Sequence, residues 1–194
     1  MKLKEIESIK YNRTKEELQL FIIFAICVAG KTATQIVKAL NKFFPSNISP
    51  FNHLRSLEKS KTLDLAIRNS SLGQHNKLGK AFRYLINNDI NLVHCSIEEL
   101  EAIPGCGPKT SRFFLSFNRP NVNYAILDTH ILAEMRELGH DVPKSTPQSR
   151  KRYKEIEATF VSYAQSLNKT PAELDLEIWL KRSRSRQQAT TVME

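Results

Sequence analysis

The chain has 194 residues, 41% of them hydrophobic and 25% charged, which is the ordinary composition of a globular protein with one domain or two small lobes. Its 29 basic and 20 acidic side chains give a net charge of +9, which favours a polyanionic partner but also suits solubility alone. The three widely spaced cysteines, Cys27, Cys95 and Cys106, exclude a disulfide framework and a paired-cysteine metal site.

The N-terminal region predicts a buried helix. Residues 1–17 are charged throughout rather than basic and then apolar, so we expect no signal peptide. The apolar run LFIIFAICVA at 20–29 is too short to span a bilayer, and a capping box of Thr14 and Glu17 would open its helix. We therefore expect an intracellular protein that does not enter a membrane.

The middle of the chain also follows helical periodicity. Apolar residues at positions 36–44 predict a helix that stops before Pro45. Residues 51–70 predict one or two helices, and residues 76–87 predict another. Ser96 and Glu99, three residues apart, predict a capping box for a short helix that ends at Pro104.

After that point the chain predicts one short helix, a loop and a helix that Asp128 begins. The short helix covers residues 110–117 and the loop covers residues 118–125. Asp128 stands at an N-cap position, and Gly139 closes the helix that follows.

The C-terminal region predicts two long helices. Thr146-Pro147 and Thr170-Pro171 each place a capping residue before a proline in the first helical position. Residues 181–194 form a basic and polar tail that we expect to be disordered at its end. Because no strand alternation persists anywhere, the sequence predicts an all-α fold.

The segment IPGCGPKT at 103–110 joins two of the predicted helices. Gly105 and Gly107 permit backbone angles that residues with a Cβ resist. Such a turn directs successive N–H groups outward beside a helix N-terminus, which makes an anion site. For a basic protein the natural anion is a nucleic-acid phosphate, whose contact carries no sequence information.

IPGCGPKT followed by ILDTHI resembles the helix-hairpin-helix DNA glycosylase superfamily, which includes endonuclease III and the 8-oxoguanine DNA glycosylases. The resemblance covers most of residues 18–140. No cysteine follows Cys106, so the chain lacks the four C-terminal ligands of a [4Fe–4S] cluster. The chain therefore resembles most the small, cluster-free 8-oxoguanine DNA glycosylase/AP lyases. The segments AGKTA at 29–33 and PAELDLEIW at 171–179 are also similar to that subgroup.

The resemblance implies an enzyme of base-excision DNA repair that needs no metal or organic cofactor. Lys109 would be the nucleophile, forming a Schiff base that allows β-elimination, and Asp128 would be the essential carboxylate. Two simpler interpretations stay open: Lys109 as a phosphate contact only, and Asp128 as a helix cap only. The oxidised base that the resemblance favours is 8-oxoguanine.

Further site residues are predicted with a structural alternative for each. Lys31 would reach the DNA from the turn after Ala29, or it would be a solvated lysine. Trp179 would stack on a base or fill the core. Asp175 would bind a purine edge or lie on the surface. The residues predicted to contact phosphate are Gly105, Gly107, Thr110, Lys77, Lys80 and Arg83. Those predicted for the base pocket or for gap filling are Gly30, Lys31, Asp175 and Trp179.

The resemblance implies two helical lobes, with double-stranded DNA bound in the cleft beside the helix-hairpin-helix motif at about 96–117. Residues 30–122 would form one lobe, and residues 1–29 would join residues 123–180 in the other. We expect the protein to act as a monomer on DNA that contains a damaged base. A same-fold glycosylase for another modified base and a non-catalytic DNA-binding module are the alternatives.

Overall fold

The computed structural model describes residues 8–191 and the side chains of residues 8–182. Over that range the structure is all-helical, which confirms the predicted fold class, and none of its helices has both the length and the apolar character needed to cross a bilayer. The helices in chain order are α1 (Lys15–Cys27), α2 (Ala33–Phe43), α3 (Pro50–Lys59), α4 (Leu63–Asn69), α5 (His75–Asn87), α6 (Ile97–Glu101), α7 (Pro108–Asn118), α8 (Thr129–Glu137), α9 (Arg150–Ser166) and α10 (Pro171–Thr191).

The helices form two compact units, residues 1–114 and residues 115–194, and the boundary falls inside α7. This division puts α1 in the first unit, whereas the sequence analysis assigned residues 1–29 to the lobe of residues 123–180. That lobe assignment stays a prediction.

Helix α1 is the centre of the first unit. Its residues from Phe21 to Cys27 are at most 2% exposed, and it contacts α2, α3 and α5. A helix that is apolar on all sides is stable only when other elements surround it. The ring of Phe21 also packs against those of Phe113 and Phe114, with centroids 5.1 and 6.1 Å away. The capping box of Thr14 and Glu17 is present as predicted.

One polar side chain of α1 is buried and links that helix to α3. Gln19 is 5% exposed, and its Oε1 accepts a hydrogen bond of 3.1 Å from the N–H of Phe51. Phe51 lies in the first turn of α3, whose N-cap residue Ser49 makes no capping hydrogen bond with its side chain. Gln19 therefore satisfies an N–H group that the helix itself leaves without a partner.

The second unit has its core between α8, α9 and α10. Fully buried side chains from these helices, among them Leu132, Tyr153 and Phe160, pack with Ala125 and Leu127 from the segment before α8. At the surface Arg182 forms 2.7 Å ion pairs with Glu134 and Glu137, which join α10 to α8. The predicted Thr170 cap of α10 is also present, since its Oγ1 accepts the N–H of Glu173 at 3.3 Å.

One prediction at the C-terminal helices was wrong. Helix α9 begins at Arg150 with Ser149 as its N-cap, not at Pro147, because the hydroxyl of Thr146 donates to the carbonyl of Leu127 at 2.8 Å instead of capping a helix. The segment predicted as a tail continues α10 as far as Thr191. Residues 192–194 of that predicted tail lie outside the described residues.

All three cysteines are buried thiols. Burial raises the pKa of both Cys27 and Cys106 to about 12, and the charges of nearby Lys31 and Lys77 offset only part of this effect at Cys27. A buried thiol resists losing its proton because the thiolate would lose its hydration. These cysteines are therefore structural residues of the core.

The raised thiol pKa predicts a loss of stability in alkaline solution. The unfolded chain loses the Cys27 proton near the ordinary value of 9.0, whereas the folded chain keeps it to about 12. The stability that the protonated thiol contributes to the fold is therefore complete below pH 9. It is lost as the pH rises from 9 towards 12, by about 1.4 kcal/mol per pH unit for each thiol. We expect the free energy of unfolding in urea to fall less steeply between pH 9 and 11 in Cys27→Ala than in wild type. An equally steep fall in wild type and in Cys27→Ala would contradict the raised pKa of Cys27.

Candidate active site

The turn between α6 and α7 forms the predicted hairpin. The capping box that opens α6 is present: Ser96 Oγ accepts the N–H of Glu99 at 3.1 Å, and Glu99 Oε2 accepts that of Ser96 at 2.7 Å. The N–H of Cys106 donates to the carbonyl of Ile103 at 2.9 Å, which closes the turn. Helix α7 then begins with Pro108, which suits the first helical position because it has no N–H to leave unpaired.

The two hairpin glycines differ in backbone angle and in surroundings. Gly105 has a φ of 83°, in the left-handed region that favours glycine, and a Cβ there would also collide with the side chain of Lys77. Gly107 does not have a positive φ, and a Cβ there would meet no described atom within 4 Å. Only Gly105 is thus required by the fold, and the missing side chain of Gly107 leaves space for an external group to approach the backbone.

Lys109 lies in the first turn of α7, where backbone donors are available. The N–H groups of Gly107, Lys109 and Thr110 have no acceptor among the described residues. The half-buried Lys109 likewise makes no hydrogen bond or ion pair with them. Thr110 is only 8% exposed, so its N–H group rather than its side chain is the part that can face a ligand. The hairpin therefore presents donors and an amine together.

A buried ion pair connects the helices on either side of the hairpin. Arg112 Nη1 of α7 lies 2.7 Å from Glu101 Oε1 of α6, and their side chains are 5% and 7% exposed. Ser111 Oγ donates to the carbonyl of Pro108 at 3.0 Å and to the same carboxylate at 3.3 Å. This network fixes the first turn of α7, and with it the backbone of Lys109, against α6.

The predicted phosphate contacts on α5 differ in their surroundings. The side chain of Lys77 lies beside Gly105, so this lysine is next to the hairpin, and Lys80 is exposed one turn further along. Arg83, which the sequence also suggested for this role, pairs instead with Glu58 at 2.9 Å and Asp64 at 2.8 Å. Those two carboxylates raise the pKa of Arg83, and both ion pairs lie inside the first unit.

The turn containing Gly30 and Lys31 is attached to the loop before α5. Lys31 Nζ donates to the carbonyl of Leu72, and Gln74 Nε2 donates to the carbonyl of Ala29 at 3.2 Å. Gly30 is exposed with a φ of 75°, which makes a sharp turn there. The Lys31 ammonium is thus already engaged by the protein, and a contact from it to DNA stays a prediction.

Asp128 caps α8 with one of its two carboxylate oxygens, as predicted. Oδ1 accepts the N–H groups of His130 at 2.8 Å and Ile131 at 2.9 Å, and the residue is half-buried. Oδ2 has no hydrogen-bonding partner among the described residues. Capping and chemistry are therefore compatible, because each can use a different oxygen of the same group.

Two residues of α9 that were not predicted from the sequence hold the backbone next to Asp128. The hydroxyl of Tyr153 and the carboxylate of Glu157 bind the segment Ala125–Leu127. A pattern could have identified Glu157, because it lies on the apolar stripe of Tyr153, Ile156 and Phe160, where an acidic side chain needs a partner.

The two predicted pocket residues of α10 have unlike environments. Asp175 is 9% exposed, so the interpretation as a surface carboxylate was wrong. Trp179 is half-buried, which is compatible with either a packing or a stacking role. Asp128, Asp175 and Trp179 belong to the second unit, and the other predicted site residues belong to the first. The joint action of Lys109 and Asp128 stays a prediction.

Comparisons with known proteins agree on one family. Residues 1–169 match the family model described as 8-oxoguanine DNA glycosylase. The 8-oxoguanine DNA glycosylase/AP lyase of Methanocaldococcus jannaschii is 38% identical over 86 residues, and the match spans 42% of this chain and 39% of that relative. The crystal structure of Methanocaldococcus jannaschii 8-oxoguanine glycosylase/lyase in complex with 15mer DNA containing 8-oxoguanine has a TM-score of 0.66 and 25% identity, over 93% of this chain and 87% of that chain.

The buried ion pair of the hairpin predicts a large effect of Glu101→Gln. This variant would remove the carboxylate charge that lies 2.7 Å from the buried Arg112 guanidinium, and breaking a buried ion pair costs about 3–5 kcal/mol of unfolding free energy. Denaturant unfolding measures the change. Glu177→Gln is the matched control, because it breaks an exposed pair with Lys169 and should cost less than about 1 kcal/mol. Equal losses in the two variants would contradict a stabilising role of the Glu101–Arg112 pair.

Proposed function

The chain belongs to the 8-oxoguanine DNA glycosylase family, and we propose that it excises 8-oxoguanine from double-stranded DNA and then cuts the strand as an AP lyase. The observation that carries this proposal is Lys109, placed without a partner among the described residues in the first turn of the hairpin helix. Since the match to the curated relative spans 39% of its length, activity and substrate are proposals for this chain.

The hairpin would hold the DNA backbone beside the damaged nucleotide. The donors of Gly107, Lys109 and Thr110 and the positive end of the α7 dipole suit one phosphate group. The open space at Gly107 lets that phosphate approach the backbone closely. Lys77 and Lys80 add positive charge from α5, and the net charge of +9 predicts binding that weakens steeply with salt.

Lys109 would attack C1′ of the deoxyribose as a neutral amine. The new N–C1′ bond forms as the glycosidic bond breaks, and the base leaves with the bonding electrons and takes up a proton. Loss of the amine proton and opening of the sugar give a Schiff base. Removal of a C2′ proton then expels the 3′ phosphate by β-elimination, which cuts the strand 3′ to the lesion.

Asp128 would stabilise the positive charge that develops on the sugar as the base departs. An ionised carboxylate placed in advance lowers the energy of such a transition state without needing to reorganise. Oδ1 stays with the helix cap, so Oδ2 is the oxygen assigned to the sugar or to the amine proton.

The base itself would be gripped outside the duplex, since glycosylases extrude their target nucleotide. We assign Trp179 to stacking and Gly30 with Lys31 to the loop that borders the flipped base. Asp175 is 9% exposed, so in this proposal it lines the base pocket from a buried position. In this proposal one molecule acts alone on DNA inside the cell.

Trapping with borohydride tests the catalytic assignment. We expect wild type to form a covalent adduct with 8-oxoguanine DNA, and Lys109→Gln to lose it with a fall of at least ~10³-fold in excision rate. Asp128→Asn should slow excision by about 10²–10³-fold. Lys42→Gln on α2, an exposed lysine with no assigned role, is the control for loss of one charge. DNA binding without any adduct in wild type would indicate a non-catalytic module, and an adduct in Lys109→Gln would indicate another nucleophile.

A panel of duplexes with single lesions tests the substrate. We expect cleavage of strands containing 8-oxoguanine and little cleavage of undamaged strands or of strands containing thymine glycol. The measurement is single-turnover strand cleavage for each duplex at one salt concentration, because affinity depends on salt. Cleavage at thymine glycol with 8-oxoguanine left intact would assign the chain to another modified base.

A further inference from the structure

The segment Ala125–Leu127 enters the core of the second unit without regular secondary structure. Its three residues are 0–5% exposed, and they belong to neither a helix nor a strand. Buried N–H and C=O groups need hydrogen-bonding partners, and a segment outside a helix or sheet can obtain them from side chains. The residues that supply these partners also decide where the next residue, Asp128, is placed.

Side chains from α9 and from the loop before it bind this segment. The fully buried Tyr153 hydroxyl accepts the N–H of Leu127 at 3.1 Å and donates to the carbonyl of Ala125 at 2.8 Å. Glu157 Oε1 accepts the N–H of Ala125 at 3.0 Å. Thr146 Oγ1 donates to the carbonyl of Leu127 at 2.8 Å. One phenol hydroxyl thus bridges both ends of the segment.

Asp128 follows directly and is held from both sides. Its N–H donates to the carbonyl of Ile126 at 2.6 Å, within the bound segment, and its Oδ1 caps α8. The backbone before Asp128 and the helix after it therefore fix the residue, which leaves Oδ2 in a set position. A shift of the segment would move that oxygen, and small displacements of a reacting group cost large factors in rate.

We propose that Tyr153 is a positioning residue for Asp128, acting through its hydroxyl and the segment Ala125–Leu127 and assisted by Thr146. A phenylalanine would fill the same space in the core, so packing alone does not require the hydroxyl. Two hydrogen bonds of that hydroxyl go to the segment directly before Asp128. This inference rests on the proposed excision reaction, in which Asp128 stabilises the positive charge that develops on the sugar as the base departs.

The test is Tyr153→Phe, with Tyr163→Phe as the matched control. Tyr163 lies on the same helix and packs against the same core. Its variant removes one phenol hydroxyl, as Tyr153→Phe does, and so controls for that chemical change. We expect Tyr153→Phe to lower the single-turnover excision rate by at least about tenfold, with affinity for abasic-site DNA unchanged within about twofold. Tyr163→Phe should excise at the wild-type rate.

A double-mutant cycle separates positioning from general destabilisation. If Tyr153 acts through Asp128, Tyr153→Phe should have no further effect on excision in an Asp128→Asn background, whereas independent effects would multiply. Thr146→Val should slow excision in the same direction as Tyr153→Phe, and Thr146→Ser, which keeps the hydroxyl, should restore the rate. These variants keep the proposal testable if Tyr153→Phe does not fold.

Amide hydrogen exchange gives a reading that does not depend on activity. We expect faster exchange at Leu127, His130 and Ile131 in Tyr153→Phe and unchanged exchange in Tyr163→Phe. Wild-type excision rates in Tyr153→Phe, or multiplied effects in the cycle, would overturn the inference. If wild type itself excises no base, the proposed function fails, and the exchange rates alone decide whether Tyr153 positions Asp128.

Discussion

Buried backbone groups must find hydrogen-bonding partners, and the described part of this chain offers helices but no sheet in which a non-helical segment could pair. The segment Ala125–Leu127 meets this constraint by taking its partners from Tyr153, Glu157 and Thr146. Gln19 does the same for the first turn of α3. The backbone before Asp128 is thus held by side chains of α9 and of the loop that precedes it.

The sequence predicted those features that depend on neighbouring residues. The capping boxes of Thr14 and Ser96 and the cap at Asp128 need only residues within three positions. The start of α9 was wrong because the hydroxyl of Thr146 is taken by Leu127, nineteen residues away. The ion pairs of Arg83 were likewise beyond reach of the local pattern, since its partners Glu58 and Asp64 lie on other helices.

The candidate site likewise has features that short motifs indicate and features that only the folded structure shows. Lys109 and Asp128 could be proposed as site residues because the short motifs around them resemble a known family, and residues 1–169 match the model of that family. The motif did not distinguish the glycines, however. Gly105 is fixed by its backbone angle and by Lys77 from another helix, whereas Gly107 has free space around it. The backbone angle of Gly105 and the position of Lys77 together reveal this difference.

The buried thiols have a consequence for survival under oxidative stress. Peroxides react with thiolates, and a thiol that keeps its proton in a closed core reacts slowly. Cys27 and Cys106 are 2% and 3% exposed, and burial raises the pKa of each to about 12. Oxidised guanine accumulates under conditions that also oxidise reactive cysteines. A protein whose core thiols resist that chemistry keeps its fold when the damage proposed as its substrate is most abundant.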